Sequence, residues 1–175
     1  MPQNQSGIYG WNSYDPIFAE LIGRVQPRLI CEVGSWLGAS ALHMASLAPD
    51  ATIYCVDTWK GSPEHRSFEH LPRLFDDFMA NVRKAGAESR VIPLRMTSAE
   101  GFHRLTAEGV LFDLIYIDGS HDEADVKADI ANYWRLLRDG GVLFGDDWNE
   151  WATVRRAAEA HGKPTVVRNH WYFTK

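Results

Sequence analysis

From residue 29 onward the chain alternates between two periods, and this alternation constrains the fold more than any other feature. Short apolar runs ending in Gly or Asp recur: LICEVGS (29–35), TIYCVD (52–57), RVIPLRM (90–96), FDLIYID (112–118) and GVLFGDD (141–147). Between them lie helix-like stretches: ASALHMASLA, FEHLPRLFDDFMANVRKAG, AEGFHRLTAEG and EADVKADIANYWRLLRDGG. Pro49-Asp50, Gly86, Gly109 and Gly140-Gly141 supply the breaks. Such alternation predicts an α/β fold, a parallel sheet covered by helices on both faces. A helix at 14–25 is expected before the first strand. A helix at about 150–161 and short strands at 165–169 and 171–174 are expected after the last long run.

The bulk properties narrow the function. A length of 175 residues predicts a single domain over 1–175, with residues 1–12 loose. Net charge is −5, with no run of Lys or Arg, which argues against nucleic acid or an anionic membrane as partner. No apolar stretch approaches the roughly 20 residues of a membrane span. The start, MPQNQSGIYG, lacks the basic and apolar segments of a signal peptide, so a cytoplasmic location is expected. Cys31 and Cys55 sit in apolar runs without CxxC or zinc spacing, and are read as reduced and buried.

In doubly wound sheets ligands bind at the carboxyl ends of the strands, near the switch in strand order. The first strand ends in CEVGSWLGAS, giving E-x-G-x-x-x-G with Glu32, Gly34 and Gly38, flanked by Ser35 and Ser40. Glycines let the backbone approach a ligand closely. Trp36 occupies the place of the second glycine of a dinucleotide fingerprint, and Glu32 would repel a pyrophosphate. An acid there suits a cationic group such as an amino-acid ammonium. The second strand ends in Asp57, about 25 residues on, where doubly wound folds place the acid that binds ribose hydroxyls. These two ends point to an adenosine-containing ligand without a pyrophosphate.

With its E-x-G-x-x-x-G motif, the Asp at 57, and later strands ending in Asp and in Gly-Asp-Asp, the chain resembles the class I S-adenosylmethionine-dependent methyltransferases. Within them, DGSH (118–121) followed by GDDW (145–148) is similar to the macrocin/mycinamicin-type metal-dependent sugar O-methyltransferases. The resemblance covers roughly residues 28–150. It implies a doubly wound, mostly parallel seven-stranded sheet of order 3-2-1-4-5-7-6. It further implies Glu32, Gly34, Ser35, Gly38 and Ser40 at the methionine end of S-adenosyl-L-methionine, and Asp57 on the ribose. Ser98, Ala99 and Glu100 would border the adenine. Asp118, Asp146 and Asp147 would hold a divalent metal, with Asp118 also facing the cofactor, and His121 would be the general base.

That strand order would set the strands ending at Asp118 and Asp146 side by side, about 4.8 Å apart. Carboxylates gathered so closely repel unless neutralised, and Mg²⁺ with oxygen ligands does this. A metal can lower the pKa of an acceptor hydroxyl, and His121 has a reference pKa suited to taking its proton. The expected acceptor is therefore a small hydroxylated molecule, a sugar or diol.

Other acids in the stretch have plainer readings. Ser120 and Glu123 form S-x-x-E, a capping box for a helix at about 121–138, and Asp122 and Asp125 suit its first turn. Trp36, Trp59, Trp148 and Trp151 are expected at the pocket rim, whereas Trp134 and Trp171 are expected in the core. WKGSPEHRSFEH (59–70) reads as a mobile acceptor loop, in which His65 and His70 are weak candidates. A short chain with many aromatics could also pair as a homodimer to complete its pocket. Two other readings compete: a methyltransferase of the same fold without a metal, and a nucleotide-binding oxidoreductase or non-catalytic cofactor-binding module.

Overall fold

The computed structural model describes residues 15–62 and 71–175; the N-terminal 1–12 segment and most of the 59–70 loop, with His65 and His70, lie outside these. In chain order the elements are α1 (Pro16–Val25), β1 (Leu29–Val33), α2 (Ala39–Leu47), β2 (Thr52–Asp57), α3 (Leu74–Lys84), β3 (Val91–Arg95), α4 (Ser98–Ala107) and β4 (Phe112–Ile117). They continue with α5 (Glu123–Arg135), β5 (Leu137–Gly145), α6 (Ala152–His161), β6 (Thr165–Val167) and β7 (His170–Thr174). The seven strands form one sheet of order β3-β2-β1-β4-β5-β7-β6. The first five pair in parallel, and β7 runs antiparallel to β5 and β6.

The period of two along each strand divides the core between the two faces. Ile30, Ile53, Cys55, Leu114, Tyr116, Val142 and Phe144 meet Phe18, Leu21, Met44, Leu74, Phe78 and Val82 from α1, α2 and α3. Cys31, Val33, Val56, Leu94, Ile115, Ile117 and Leu143 meet Phe102, Leu105, Val126, Ile130, Tyr133 and Ala157 from α4, α5 and α6. Burial on both faces explains why these strands read as continuous apolar runs. Cys31 and Cys55 are both free and buried, as expected.

The largest departure from the sequence reading lies between α5 and β5. The helix stops at Arg135, and Leu137 already pairs with Phe112, four residues ahead of the strand start expected at 141. The register then shifts, with Leu114 opposite Val142, so the irregular stretch accommodates Gly140 at φ 81°. This is a bulge of the kind that inserts extra residues into one strand, which periodicity does not reveal. The start of α5 also differs. Asp122, not Ser120, is the N-cap, its Oδ1 accepting from the Ala124 N–H at 2.9 Å. Ser120 accepts from the Asp122 N–H and donates to Asp125, while Glu123 pairs with Lys127 and Arg156.

Candidate active site

Strand order reverses between β1 and β4, so the two connections leaving those strands go to opposite faces and open a crevice at their carboxyl ends. The backbone there is tightly fitted. Gly34, at φ 89°, lies so close to β4 that a Cβ would stand 2.2 Å from the Asp118 carbonyl oxygen. Only glycine allows the loop after β1 to pass there.

Glu32 is fully buried beneath this loop, and the Ser40 hydroxyl donates to its Oε1. Among the described residues Oε2 has no hydrogen-bond partner, and the Ser35 hydroxyl beside the carboxyl closes no bond. Burial pushes the Glu32 carboxyl up to about 7, against the opposing pull of the Ser35 and Ser40 hydroxyls. A buried acceptor left unmatched is costly, and it suits a cationic ligand group that would pair with it.

Asp57 braces the same loop. Its Oδ2 accepts from the Ser35 and Trp36 N–H groups at 3.0 and 2.8 Å, and its Oδ1 from Trp59 at 2.7 Å. Trp36 and Trp59 both hold left-handed backbone, at φ 48° and 49°. The Trp59 indole N–H donates to the Trp36 carbonyl at 2.8 Å and its ring packs on Phe75 and Phe78. Trp59 is only 2% exposed, which corrects its expected place at the rim: it is a core residue under the loop. Trp171 is fully buried, whereas Trp134 is half-buried against His161 and Phe173.

Ser98, Ala99 and Glu100 form the first turn of α4, beyond β3. Glu100 is engaged: its carboxylate accepts from the Thr97 N–H and hydroxyl at 2.9 and 2.8 Å, and Thr97 caps the Glu100 N–H in return. This is a capping box that the sequence reading overlooked. The Tyr133 hydroxyl, from α5, donates to the Ser98 carbonyl at 2.9 Å.

Asp118 and Asp146 lie at neighbouring strand ends. Ile117 pairs with Gly145, which puts Asp118 and Asp146 just past adjacent strand ends. Burial, and then the charges of Asp146, Asp147 and Glu32, hold the Asp118 carboxyl well above the usual range. The Tyr116 hydroxyl donates to Asp118 Oδ2 at 3.1 Å. Asp146 is raised too, chiefly by burial, although the neighbouring His170 pulls the other way.

Asp147 adopts φ 68°, which turns it away from the alternation of a strand. Its Oδ2 meets His121 Nε2 at 2.9 Å. The His121 ring stacks on Trp151, centroids 4.5 Å apart and 11° from parallel. Trp151 itself is 43% exposed, consistent with a rim position.

Asn169, on the turn between β6 and β7, and His170, the first residue of β7, also border Asp146, and no feature of the sequence singled them out. The Asn169 amide donates to Asp146 Oδ1 at 2.7 Å, and His170 Nε2 lies 3.6 Å from the same oxygen. They lie more than 20 positions downstream, so only the antiparallel return of β7 brings them here.

Fit to a metal depends on the donors. Among the described residues no group of three or more His, Cys, Asp and Glu is gathered in ion-holding geometry. Asp118 and Asp146 each keep an oxygen that accepts no hydrogen bond from the described residues. The three-carboxylate set expected from Asp118, Asp146 and Asp147 is therefore not gathered for an ion, and Asp147 Oδ2 is given to His121.

The strand order defines a doubly wound α/β protein with a crevice at its switch point, and comparison with known proteins gives the family. A family model described as a methyltransferase domain matches residues 31–148, and the chain belongs to that family. An uncharacterized protein, y4gI, of Sinorhizobium fredii is 32% identical over 158 residues, covering 82% of this chain and 17% of the relative. The chain thus spans about a sixth of that relative's length. Among solved structures, the O-methyltransferase TomG of Streptomyces achromogenes, involved in tomaymycin synthesis and bound to S-adenosylmethionine, superposes with a TM-score of 0.70 at 16% identity, covering 95% of this chain and 80% of that one. CalS11, a TDP-rhamnose 3′-O-methyltransferase of calicheamicin biosynthesis, gives 0.63 at 17% identity, covering 90% and 76%. At these identities the likeness is one of fold. No described helix is long and apolar enough to cross a membrane.

Proposed function

We propose that this chain is an S-adenosylmethionine-dependent O-methyltransferase acting on a hydroxyl of a small molecule, a sugar or a diol. The observation that carries the reading is the His121–Asp147 pair set beside Asp118, across the switch point from buried Glu32. Glu32 Oε2 receives the methionine ammonium, Ser35 and Ser40 flank it, and Gly34 and Gly38 let the loop close on the cofactor. Asp57 holds that loop and contributes its remaining acceptor capacity to the ribose. Ser98 and Ala99 border the adenine; Glu100 serves there through the cap it forms.

Transfer is an in-line displacement. The acceptor oxygen attacks the sulfonium methyl carbon, the carbon–sulfur bond breaks, and its electron pair stays on sulfur as the neutral thioether. The proton lost by the hydroxyl goes to His121. Its Nε2 is directed at Asp147, which holds the imidazole in place to take that proton. Asp147 thereby orients the base and stabilises the imidazolium. Trp151 holds the ring from its face. Asp118 and Asp146 would hold Mg²⁺, which when bound neutralises their charge and lowers the pKa of a bound hydroxyl. The kinship in fold with a sugar-nucleotide O-methyltransferase supports the acceptor class.

A metal-free reaction of the same type is the second reading, favoured by the engagement of Asp147 with His121. Incubation with methyl-labelled S-adenosylmethionine and a panel of sugars and diols, in EDTA and then with Mg²⁺, separates the two. Label transferred only with Mg²⁺ supports the first, and equal transfer in EDTA supports the second. No transfer to any hydroxyl would contradict both.

A further inference from the structure

A carboxylate offers about four acceptor positions, shared equally between its oxygens. In Asp57, at the end of β2, three backbone N–H groups of the described residues already fill three of them. Oδ2 accepts from Ser35 and Trp36 at 3.0 and 2.8 Å, and Oδ1 accepts from Trp59 at 2.7 Å. One position remains, and it lies on Oδ1. Holding both neighbouring hydroxyls of a ribose takes two.

The three donors cannot easily be withdrawn, because the loop after β1 is tied on every side. The Gly34 N–H donates to the Val56 carbonyl at 2.9 Å, and the Gly38 N–H to the Ser35 carbonyl at 2.7 Å. The Trp59 indole N–H donates to the Trp36 carbonyl at 2.8 Å, and the Asn81 amide, from α3, to the Leu37 carbonyl at 2.9 Å. Trp36 and Trp59 hold left-handed backbone, at φ 48° and 49°, which persists in a residue with a side chain only where the surroundings fix it. Turning Asp57 Oδ2 toward a ligand would leave N–H groups of this strained loop unpaired, at the full cost of an unmet donor.

We propose that Asp57 grips a single ribose hydroxyl of S-adenosylmethionine, through Oδ1, while Oδ2 stays the brace of the loop. The proposal rests on the methyltransferase reading above. Doubly wound folds generally set this acid on the ribose hydroxyls together; here one oxygen is committed to the protein. The cofactor site then rejects a deoxyribose at one position and accepts it at the other, since a hydrogen-bonding site discriminates only against the analogue that lacks its partner.

The test is calorimetric titration of S-adenosylhomocysteine and of its 2′-deoxy and 3′-deoxy analogues into the full wild-type chain. The expected result is one deoxy analogue bound about tenfold or more weakly, and the other within about threefold of the parent compound. Losses of comparable size for both analogues, large or small, overturn the proposal and leave the methyltransferase reading standing. Asp57→Ala supplies a second readout, thermal unfolding without ligand. Loss of three bonds to a charged acceptor should lower Tm by about 4 °C or more, and an unchanged Tm overturns the bracing role. In the folded variant the two deoxy analogues should bind alike; persistence of the wild-type difference assigns the hydroxyl to another group and also overturns the proposal. If folded wild type binds no S-adenosylhomocysteine, the methyltransferase reading itself has failed.

Discussion

His121 Nε2 lies 2.9 Å from Asp147 Oδ2, although the two residues come from different strand ends and 26 positions of chain separate them. The contact exists because Asp147 takes a left-handed backbone just after β5 ends at Gly145. In the proposed reaction this contact gives the second acid of Gly-Asp-Asp the task of orienting the base.

That pairing predicts distinct kinetic effects. His121→Ala should lower kcat by about 10²–10⁴-fold, the usual contribution of a general base. Asp147→Asn should lower kcat by a smaller factor and leave KM for S-adenosylmethionine unchanged. Steady-state assays with an acceptor found by the labelled screen measure both. Full activity in His121→Ala would assign the proton elsewhere.

Glu32 predicts proton-linked cofactor binding. Its carboxyl, pushed up to about 7 by burial, is largely protonated below that pH, whereas an ammonium ligand requires it ionised. Binding of S-adenosylhomocysteine should release protons at about pH 6 and weaken by up to about tenfold per pH unit on further acidification. Calorimetry in buffers of different ionisation enthalpy reads the released proton directly. Heats independent of buffer would contradict the assignment.

Asp129, buried in α5, is raised to about 6, chiefly by burial. Because its folded pKa exceeds the ordinary 3.8, the folded chain keeps a proton that the unfolded chain has released. Its stabilising contribution is complete below about pH 4 and is lost as pH rises through about 6. Asp129→Asn should therefore gain stability relative to wild type as pH increases across this window. Denaturant unfolding at about pH 4.5 and 7.5 gives the difference, and an equal effect at both would refute it.

Two glycines should be intolerant of any side chain. Gly34→Ala would drive a Cβ to 2.2 Å from the Asp118 carbonyl at φ 89°. Gly145→Ala would place one 2.3 Å from the Trp171 ring. Each should cost about 3 kcal/mol or more, Gly34→Ala from strained backbone and a backbone clash, Gly145→Ala from overpacking of a fixed neighbour. Gly86→Ala, where a Cβ meets nothing within 4 Å, is the comparison, since only its φ of 63° opposes the substitution.

Much of this architecture is legible in the sequence because strands buried on both faces leave continuous apolar runs that end sharply in Gly or Asp. Glu32, Asp57, Asp118 and Asp146 could be placed at strand ends on that basis, and β4 beside β5 brings the last two together. What escaped depends on information no local pattern holds. The bulge opening β5 broke the helical period early at Arg135. The three hydrogen bonds that tie Glu100 to Thr97 as a capping box were not expected, although their T-x-x-E spacing is present. Trp59 followed a strand end but turned inward through its left-handed backbone. Asn169 and His170 reach Asp146 only through the antiparallel return of β7, a long-range pairing that carries no sequence motif.

The central claim is that the β1 and β2 ends hold S-adenosylmethionine. The most direct measurement is calorimetric titration of S-adenosylhomocysteine into the wild-type chain and Glu32→Gln at about pH 8. The account predicts one-to-one micromolar binding to wild type and a loss of about tenfold or more in the variant, as a charge-assisted hydrogen bond is removed. No binding to the folded wild-type chain would contradict it.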